Sequence, residues 1–148
     1  MTIAFREARR DDVPAILDLL REDHLGIKRE LGGIEEYFHA WDTMQAEGGN
    51  ALYVGEDTGR IVATFQLTFI TGLSHRATRR AQVESVRVAA DLRGQGIGAA
   101  LMAEAERLSR NAGCGMIQLT THGERDRAQA FYAALGYAPS HVGFKKRL

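Results

Sequence analysis

The sequence from position 86 to 102 is Val86-Arg87-Val88-Ala89-Ala90-Asp91-Leu92-Arg93-Gly94-Gln95-Gly96-Ile97-Gly98-Ala99-Ala100-Leu101-Met102. An apolar, β-branched run enters a loop with three glycines, and a helical pattern leaves it. Glycine lets backbone N–H groups approach a ligand closely, and a helix N-terminus adds about half a positive charge beside them. The order strand, glycine loop, helix therefore predicts a cradle for a phosphate group.

The spacing of the glycines excludes the two common nucleotide-binding loops. The dinucleotide fingerprint requires Gly-x-Gly-x-x-Gly, but Gly94, Gly96 and Gly98 are two residues apart. A P-loop ends in Gly-Lys-Ser/Thr, whereas two alanines follow Gly98. Residues 93–98 are similar instead to the Arg/Gln-x-x-Gly-x-Gly/Ala pattern of the GNAT superfamily of acetyltransferases. In that family the loop holds the pyrophosphate of acetyl-coenzyme A; the alternative is a glycine-rich turn without a ligand.

Length and composition indicate one globular domain, residues 1–148. Hydrophobic residues make up 45% of the chain and charged residues 26%, which is typical of a soluble protein. No apolar run approaches the ~20 residues that a membrane span needs, and the first residues show no secretory signal. The lone cysteine, Cys114, excludes an internal disulfide and fits a reducing compartment. We therefore expect a cytoplasmic protein that does not associate with membranes.

The net charge is zero, but it is unevenly distributed. Residues 11–47 contain ten acidic and three basic residues, a local charge of −7, so the remainder of the chain carries +7. The neutral balance argues against a general nucleic-acid-binding protein.

Hydrophobic periodicity predicts the order β-α-α-β-β-β-α-β-α-β, a mixed sheet with helices on both faces. The predicted strands are 3–8, 51–56, 60–69, 80–88, 116–121 and 141–147, with a hairpin turn at Asp57-Thr58-Gly59. Four helices are predicted. The first begins near Asp11 and ends near residues 24–26, and the other three span 34–47, 96–111 (capped by Gly113) and 127–135 (closed by Gly136). This order resembles the GNAT fold, an α/β fold with a mostly antiparallel sheet of six to seven strands and about four helices.

A second motif follows the first at the separation found in the same family. It is Ala128-Gln129-Ala130-Phe131-Tyr132-Ala133-Ala134-Leu135-Gly136-Tyr137, which resembles the pattern A-x-x-[FL]-Y-x-x-x-G-[FY]. One position departs from the family: many relatives carry an Asn that touches the cofactor seven residues before this Tyr, where the present chain has Arg125. A guanidinium at that position can bind a phosphate instead.

The resemblance implies an N-acetyltransferase that moves the acetyl group of acetyl-coenzyme A directly to a primary amine. The strand before the glycine loop would be bulged, with the backbone of Val86 and Val88 binding pantetheine, and the N–H of Val86 or a near neighbour polarising the thioester carbonyl. The cofactor-binding residues implied in this way are Val86, Arg87, Val88, Arg93, Gly94, Gln95, Gly96, Ile97, Gly98, Ala99, Arg125 and Tyr132. We expect no metal ion.

Glu84 is the candidate general base. It lies two residues before Val86, on the same face of the strand, and relatives often carry an acid here. It is a charge between Val83 and Val86 in a strand that we expect to be buried. The alternatives are a structural ion pair with an arginine such as Arg87, or a place at the sheet edge.

Tyr132 is the candidate general acid, because relatives use the Tyr of this motif to protonate the thiolate of coenzyme A. Its alternative role is packing, with the hydroxyl ordering the cofactor. His75 and His122 lie in loops next to the expected site, and either could replace Glu84 as the base.

In the family, the first two helices form one wall of the acceptor cleft, and here that wall would be the acidic segment 11–47. A negative wall attracts ammonium groups, so we expect a small cationic amine or a peptide amine as acceptor. A solvated acidic helix face is the alternative. The other class of function is a non-catalytic acyl-coenzyme A sensor or interaction module on the same fold. A homodimer is common among relatives.

Overall fold

The computed structural model describes residues 2–148. The strands are β1 (Ala4–Glu7), β2 (Asn50–Asp57), β3 (Arg60–Ile70), β4 (Arg80–Val88) and β5 (Met116–Leu119). The helices are α1 (Val13–Arg21), α2 (Gly26–Arg29), α3 (Ile34–Glu47), α4 (Ser74–Ala77), α5 (Ile97–Asn111) and α6 (Asp126–Ala134), with 3₁₀ turns at Arg10–Asp12 and Ala90–Leu92. The chain divides into two compact units, one running to Gln118 and one over Leu119–Leu148. The expectation of a single domain stays a prediction.

The strands form one sheet in the order β1-β2-β3-β4-β5. The three pairs from β1 to β4 are antiparallel. The β2–β3 hairpin turns at Thr58 and Gly59, with φ of 45° and 87°, because a two-residue turn that follows the strand twist needs positive φ at both positions. The predicted hairpin and the mixed α/β fold class are confirmed.

Helices pack on both faces of this sheet in the first unit. Val13 and Ile16 of α1 and Trp41 of α3 pack with Val54 on one face. On the opposite face, the rings of Tyr53 and Phe65 stack with centroids 5.0 Å apart. Burial raises the pKa of Tyr53, and the carboxylates of Glu7 and then Glu104 raise it further. Since Glu104 belongs to α5, that helix covers the face of Tyr53.

The predicted end of α5 is confirmed in detail. The N–H of Gly113 donates to the carbonyl of Arg110, and the N–H of Cys114 donates to that of Ser109, both at 3.0 Å. These two bonds form a Schellman cap, which places its central residue in the left-handed region. Gly113 has φ of 79° and meets this demand without a steric penalty.

Two expectations about the strands are wrong. The strand expected at 141–147 is absent, since residues 138–148 have no regular secondary structure and leave Phe144 93% exposed. No strand of the described sheet pairs with this segment, so the described sheet has five strands. The strand at 116–119 is shorter than expected and only half-buried. The four predicted helices correspond to α1, α3, α5 and α6, and within residues 2–148 α2 and α4 are additional single turns.

In the described range 2–148, no helix combines the length and the apolar character that crossing a bilayer requires.

A partly buried ion pair joins β1 to the start of α1. Arg6 donates to both carboxylate oxygens of Asp12, at 2.7 and 3.1 Å, and the N–H of Arg9 donates to Asp12 at 2.7 Å. The hydrogen bonds from Arg6 and Arg9 together hold the pKa of Asp12 below its usual value, with Arg6 the larger cause. The carboxylate is therefore more stable in the folded chain than in the unfolded one.

We expect Asp12→Asn to lower the free energy of unfolding by about 1–3 kcal/mol at neutral pH, because it weakens charge-assisted hydrogen bonds. The Asp12 contribution is fully present above the unfolded pKa of about 3.9 and is lost as pH falls through the lower folded pKa. Urea unfolding from neutral pH down to about pH 3 measures it. Asp11→Asn, at an exposed neighbouring position, is the matched control. A variant as stable as this control at neutral pH would contradict the assignment.

Candidate active site

The glycine loop before α5 has a backbone that only glycine adopts easily. Gly94 and Gly96 have φ of 78° and 83°, in the left-handed region where a Cβ is strained. An added Cβ at either position would meet no atom within 4 Å, so conformation rather than crowding requires glycine. Gly96 is the N-cap of α5, and no side chain caps that helix. The first-turn N–H groups of a 15-residue helix are thus available to an anion.

Two carboxylates hold this loop in place. Glu22, just after α1, accepts a hydrogen bond from the backbone N–H of Ala90 at 2.8 Å, and its carboxylate lies 3.9 Å from the guanidinium of Arg93. Asp91 accepts two bonds from Arg60, at 2.8 and 2.9 Å, and those bonds lower the pKa of Asp91. The loop is therefore tied to the end of α1 and to the start of β3. No sequence signal pointed to Glu22, because 68 residues separate it from Ala90.

The other predicted cofactor residues of the first unit lie around this loop. The guanidinium of Arg87 donates to the carbonyl of Val86 at 2.9 Å, and that of Arg93 donates to the carbonyl of Val88 at 3.3 Å. Ile97 is only 4% exposed, so its side chain packs in the core. Gln95 and Ala99 are exposed, and Gly98 is half-buried.

Strand β4 contains a β-bulge at the position of the candidate base. Glu84 is opposite Gln66 and Arg87 is opposite Thr64, so β4 has one residue more than β3 between these two pairs. Ser85 takes up the extra residue with φ of 54°. The bulged backbone implied by the family resemblance is confirmed.

The bulge overturns one prediction about Glu84. A regular strand would place Glu84 and Val86 on one face, but the extra residue reverses the alternation. Glu84 shares the face of Gln66, and Val86 is on the opposite one with Val88, whose partner is Ala63. The expectation that Glu84 is buried is also wrong, since its side chain is exposed. The bulge opens the strand at this point.

A cavity of about 130 Å³ lies between α1, α3 and the face of the sheet that carries Gln66. Its lining consists of Val13, Ile16, Leu17, Leu20, Tyr37, Ala40, Trp41, Met44, Leu52, Thr64, Gln66 and Ser85. Of these, only Ala40 and Ser85 are exposed, so they mark its mouth. Glu84 precedes Ser85 and is paired with Gln66, which brings the candidate base to the side of the sheet where the cavity lies.

The acidic residues of segment 11–47 do not line this cavity. Asp12 pairs with Arg6, and Asp42 pairs with Arg10 at 3.0 Å; both arginines are outside the segment. The segment therefore presents its apolar side chains to the cavity and its acids elsewhere. The cavity therefore lacks the negatively charged wall that segment 11–47 was predicted to form.

The second unit carries the second motif. Arg125 is the N-cap residue of α6, half-buried, and its N–H donates to the carbonyl of His122 at 2.9 Å. The half-buried ring of Tyr132 makes edge contacts with Phe131 and Tyr137, at 5.1 and 5.9 Å between centroids. Gly136, with φ of 92°, ends α6 as predicted.

The two candidate histidines have structural surroundings of their own. His75 lies in the exposed turn α4 with a left-handed backbone, φ 53° and ψ 43°. His122 accepts a hydrogen bond from the N–H of Glu124 at its Nδ1 atom, 3.1 Å away. Within residues 2–148, no three His, Cys, Asp or Glu side chains are grouped so that they could hold a metal ion.

The model of the acetyltransferase (GNAT) family matches residues 13–137. The chain belongs to the GNAT acetyltransferase family. The match includes the bulged strand, the glycine loop and the second motif, so the family predicted from those motifs is confirmed. Its members are acetyl-coenzyme A-dependent acetyltransferases, which is the enzyme class that the sequence predicted.

Individual relatives differ in what they do. The aminoalkylphosphonate N-acetyltransferase of Salmonella typhimurium is 36% identical over 98 residues, which are 66% of this chain and 60% of that protein. A transcriptional regulator from Bacillus halodurans C-125 is 35% identical, with a TM-score of 0.93 over 99% of this chain and 100% of the other. A predicted acetyltransferase from Clostridium acetobutylicum, solved with acetyl-CoA, shares the fold at 14% identity and a TM-score of 0.73 over 99% and 96% of the two chains.

We expect Gly96→Ala to raise the Kd for acetyl-coenzyme A at least tenfold, because a Cβ resists φ of 83° and turns the first N–H groups of α5 away from the anion. Gly48→Ala is the matched control: Gly48 has φ of 70° at the C-cap of α3 and equally open surroundings. Both variants should lose about 1–2 kcal/mol of stability. Calorimetric titration measures the Kd. Equal binding by the two variants would argue against a role of the glycine loop in binding acetyl-coenzyme A.

Proposed function

We propose that this chain transfers the acetyl group of acetyl-coenzyme A to a primary amine. The amine nitrogen attacks the thioester carbonyl, a C–N bond forms, the C–S bond breaks, and coenzyme A leaves as a thiolate. The observation that carries the proposal is the bulge at Ser85, followed within one strand length by the glycine loop at the N-terminus of α5. A bulge frees backbone groups of β4 beside a phosphate cradle, which is what an extended acyl-pantetheine chain needs.

Glu84 is proposed as the general base. An alkyl amine with a pKa near 10 is mostly protonated at neutral pH, so it must lose a proton before or during attack. The exposed carboxylate of Glu84 is open to an incoming ammonium group, directly or through water, and its place opposite Gln66 supports a role on the cavity side of the sheet. The proton moves from the amine nitrogen to this carboxylate.

The N–H of Val86, or that of a near neighbour, is proposed to polarise the thioester carbonyl. A backbone donor fixed in a sheet stabilises the developing oxyanion at little reorganisation cost. Arg87 and Arg93 now bond to the carbonyls of Val86 and Val88, so pantetheine that binds these carbonyls would take over from the two guanidinium groups. The guanidinium groups are then available to the pyrophosphate.

Tyr132 is proposed as the general acid that protonates the departing thiolate. Support for this role is its place in the second motif of the family, together with a half-buried hydroxyl-bearing ring on α6. Arg125, at the N-cap of the same helix, is proposed as a phosphate contact. A phenol with a pKa near 10 can donate to a thiolate only when it is held close to the sulfur.

The acceptor is proposed to be a small molecule with a primary amine. The Salmonella relative acts on aminoalkylphosphonates, which supports an amine acceptor, although this chain spans 60% of that protein. A cytoplasmic location and a homodimer remain predictions from the sequence.

A second candidate function is an acetyl-coenzyme A sensor that binds the cofactor without turnover. One observation favours it: the relative from Bacillus halodurans, 35% identical over nearly the whole chain, is a transcriptional regulator. The presence of Glu84 and Tyr132 supports the enzyme, because binding alone requires neither a base nor an acid.

We expect Glu84→Gln to lower kcat by about 100-fold or more near neutral pH, since general-base catalysis contributes this much. The Kd for acetyl-coenzyme A should stay the same. Release of free thiol with a panel of primary amines measures kcat, and Glu47→Gln, at an exposed position at the end of α3, is the control. Loss of the rate dependence on pH in the variant would identify the base; an unchanged kcat would remove Glu84 from the mechanism. No thiol release by the unaltered chain with any amine, despite cofactor binding, would favour the sensor.

We expect Tyr132→Phe to lower kcat by about 100-fold while the Kd for acetyl-coenzyme A changes little, because only the proton donor is removed. Tyr137→Phe is the matched control: it is the other Tyr in edge contact with Tyr132, and the family motif accepts Phe there. Steady-state kinetics on both variants provides the comparison. If the Tyr132→Phe variant keeps full turnover, Tyr132 is not the general acid and has only a packing role.

A further inference from the structure

The cavity beside Ser85 has a lining that separates apolar from polar groups. The side contributed by α1 and α3 consists of Val13, Ile16, Leu17, Leu20, Tyr37, Ala40, Trp41 and Met44. Two side chains on this side also carry a polar group: the hydroxyl of Tyr37, which donates to Glu30 at 3.2 Å, and the indole N–H of Trp41. The other polar side chains of the lining, Thr64, Gln66 and Ser85, belong to the sheet. The hydroxyl of Thr64 already donates to the carbonyl of Tyr53 at 2.9 Å. The interior is thus apolar, with the free polar groups toward Glu84.

We propose that the acceptor is a primary amine on a short apolar body, such as a phenyl or a branched alkyl group. The apolar body occupies this cavity, and the amino group remains at the mouth, between Ser85 and the carboxylate of Glu84. This inference rests on the proposed acetyl transfer, and it specifies which amines the same site accepts.

The size of the cavity sets the size of the apolar body. Its volume of about 130 Å³ is close to that of an apolar cavity of about 150 Å³ that is known to bind benzene. One phenyl ring or a branched chain of four to five carbons fills such a space, whereas two fused rings exceed it. Each methylene missing from the body should lower kcat/KM by roughly tenfold.

The lining also excludes other amines by charge. It contains no arginine, lysine or histidine, so the anion of an aminoalkylphosphonate has no partner inside. It contains no carboxylate either, so the second ammonium group of a polyamine is equally unpaired there. Burying an unpaired charge is strongly unfavourable. The acceptor therefore differs from the aminoalkylphosphonates of the Salmonella relative, and its positive charge is confined to the amino group that stays at the mouth.

The first experiment compares acceptors on the unaltered chain at saturating acetyl-coenzyme A. The panel contains 2-phenylethylamine, isopentylamine, ethylamine, spermidine and 2-aminoethylphosphonate. We expect kcat/KM for 2-phenylethylamine and isopentylamine to exceed that for each of the other three by at least tenfold. If amines are acetylated but spermidine or the phosphonate is preferred, this inference is wrong and the proposed function stands. If cofactor binds and no amine is acetylated, the proposed function fails and the inference fails with it.

The second experiment closes the mouth of the cavity. Ala40→Leu adds a side chain at an exposed position of α3, so folding should be unaffected; Ala46→Leu adds the same side chain on the same helix, at an exposed position outside the lining. We expect only Ala40→Leu to raise KM for 2-phenylethylamine, by tenfold or more, without a change in KM for acetyl-coenzyme A. Equal kinetics of the two variants would overturn the inference.

The third experiment enlarges the cavity. Met44→Ala removes a half-buried lining side chain. We expect it to improve kcat/KM for 2-(1-naphthyl)ethylamine relative to 2-phenylethylamine by at least tenfold. An unchanged ratio in a variant that still binds acetyl-coenzyme A would show that the acceptor lies elsewhere.

Discussion

The antiparallel pairing of β3 with β4, and its single bulge at Ser85, is the constraint on which the proposed chemistry depends. One extra residue between the pairs Gln66–Glu84 and Thr64–Arg87 reverses which side chains share a face. Glu84 thereby joins the face on which the cavity lies, and Val86 and Val88 take the other. A left-handed serine is unfavourable by itself, so the ladder on either side of it must hold it in place. The reaction proposed here uses the backbone on one side of this irregularity and the carboxylate on the other.

The position of the glycine loop depends on the same strand, because the loop follows β4 in the chain. Gly94 and Gly96 give the chain the left-handed turns that aim the first N–H groups of α5 outward. Glu22 binds the N–H of Ala90 and approaches Arg93, so the helix that walls the cavity also fixes the loop. A movement of α1 would therefore change both the shape of the cavity and the position of the glycine loop.

The net charge of segment 11–47 and the shape of the cavity predict different acceptors, and the cavity shape is the more local of the two properties. The segment 11–47 carries a charge of −7, but Asp12 and Asp42 pair with arginines outside it, and Glu22 holds the loop. An amphipathic helix exposes its charges on the side away from the core. The face of α1 and α3 that lies over the cavity is the apolar one, so the total charge of the segment is a poor guide to what the cavity admits.

Periodicity and turn chemistry were sufficient for most of the fold. The 2-residue period, the Thr58-Gly59 turn, the helix at 34–47 and the glycine that ends α5 are local properties, set by a few neighbouring residues, and they were predicted close to their observed bounds. The glycine loop and the second motif were equally local, and they were sufficient to identify the family. The failed strand at 141–147 shows the limit: a strand exists only if another strand pairs with it, and no property of seven residues decides that.

The site itself depended on tertiary structure. The sequence alone placed Glu84 next to the loop, but the register between β3 and β4 decided which face it occupies, and a register is a relation between two strands. The tether from Glu22 and the cavity lining join residues that are far apart in the chain, from Val13 to Ser85. Backbone conformation and motif spacing are written into neighbouring residues, whereas faces, cavities and partners arise only when distant segments pack against one another.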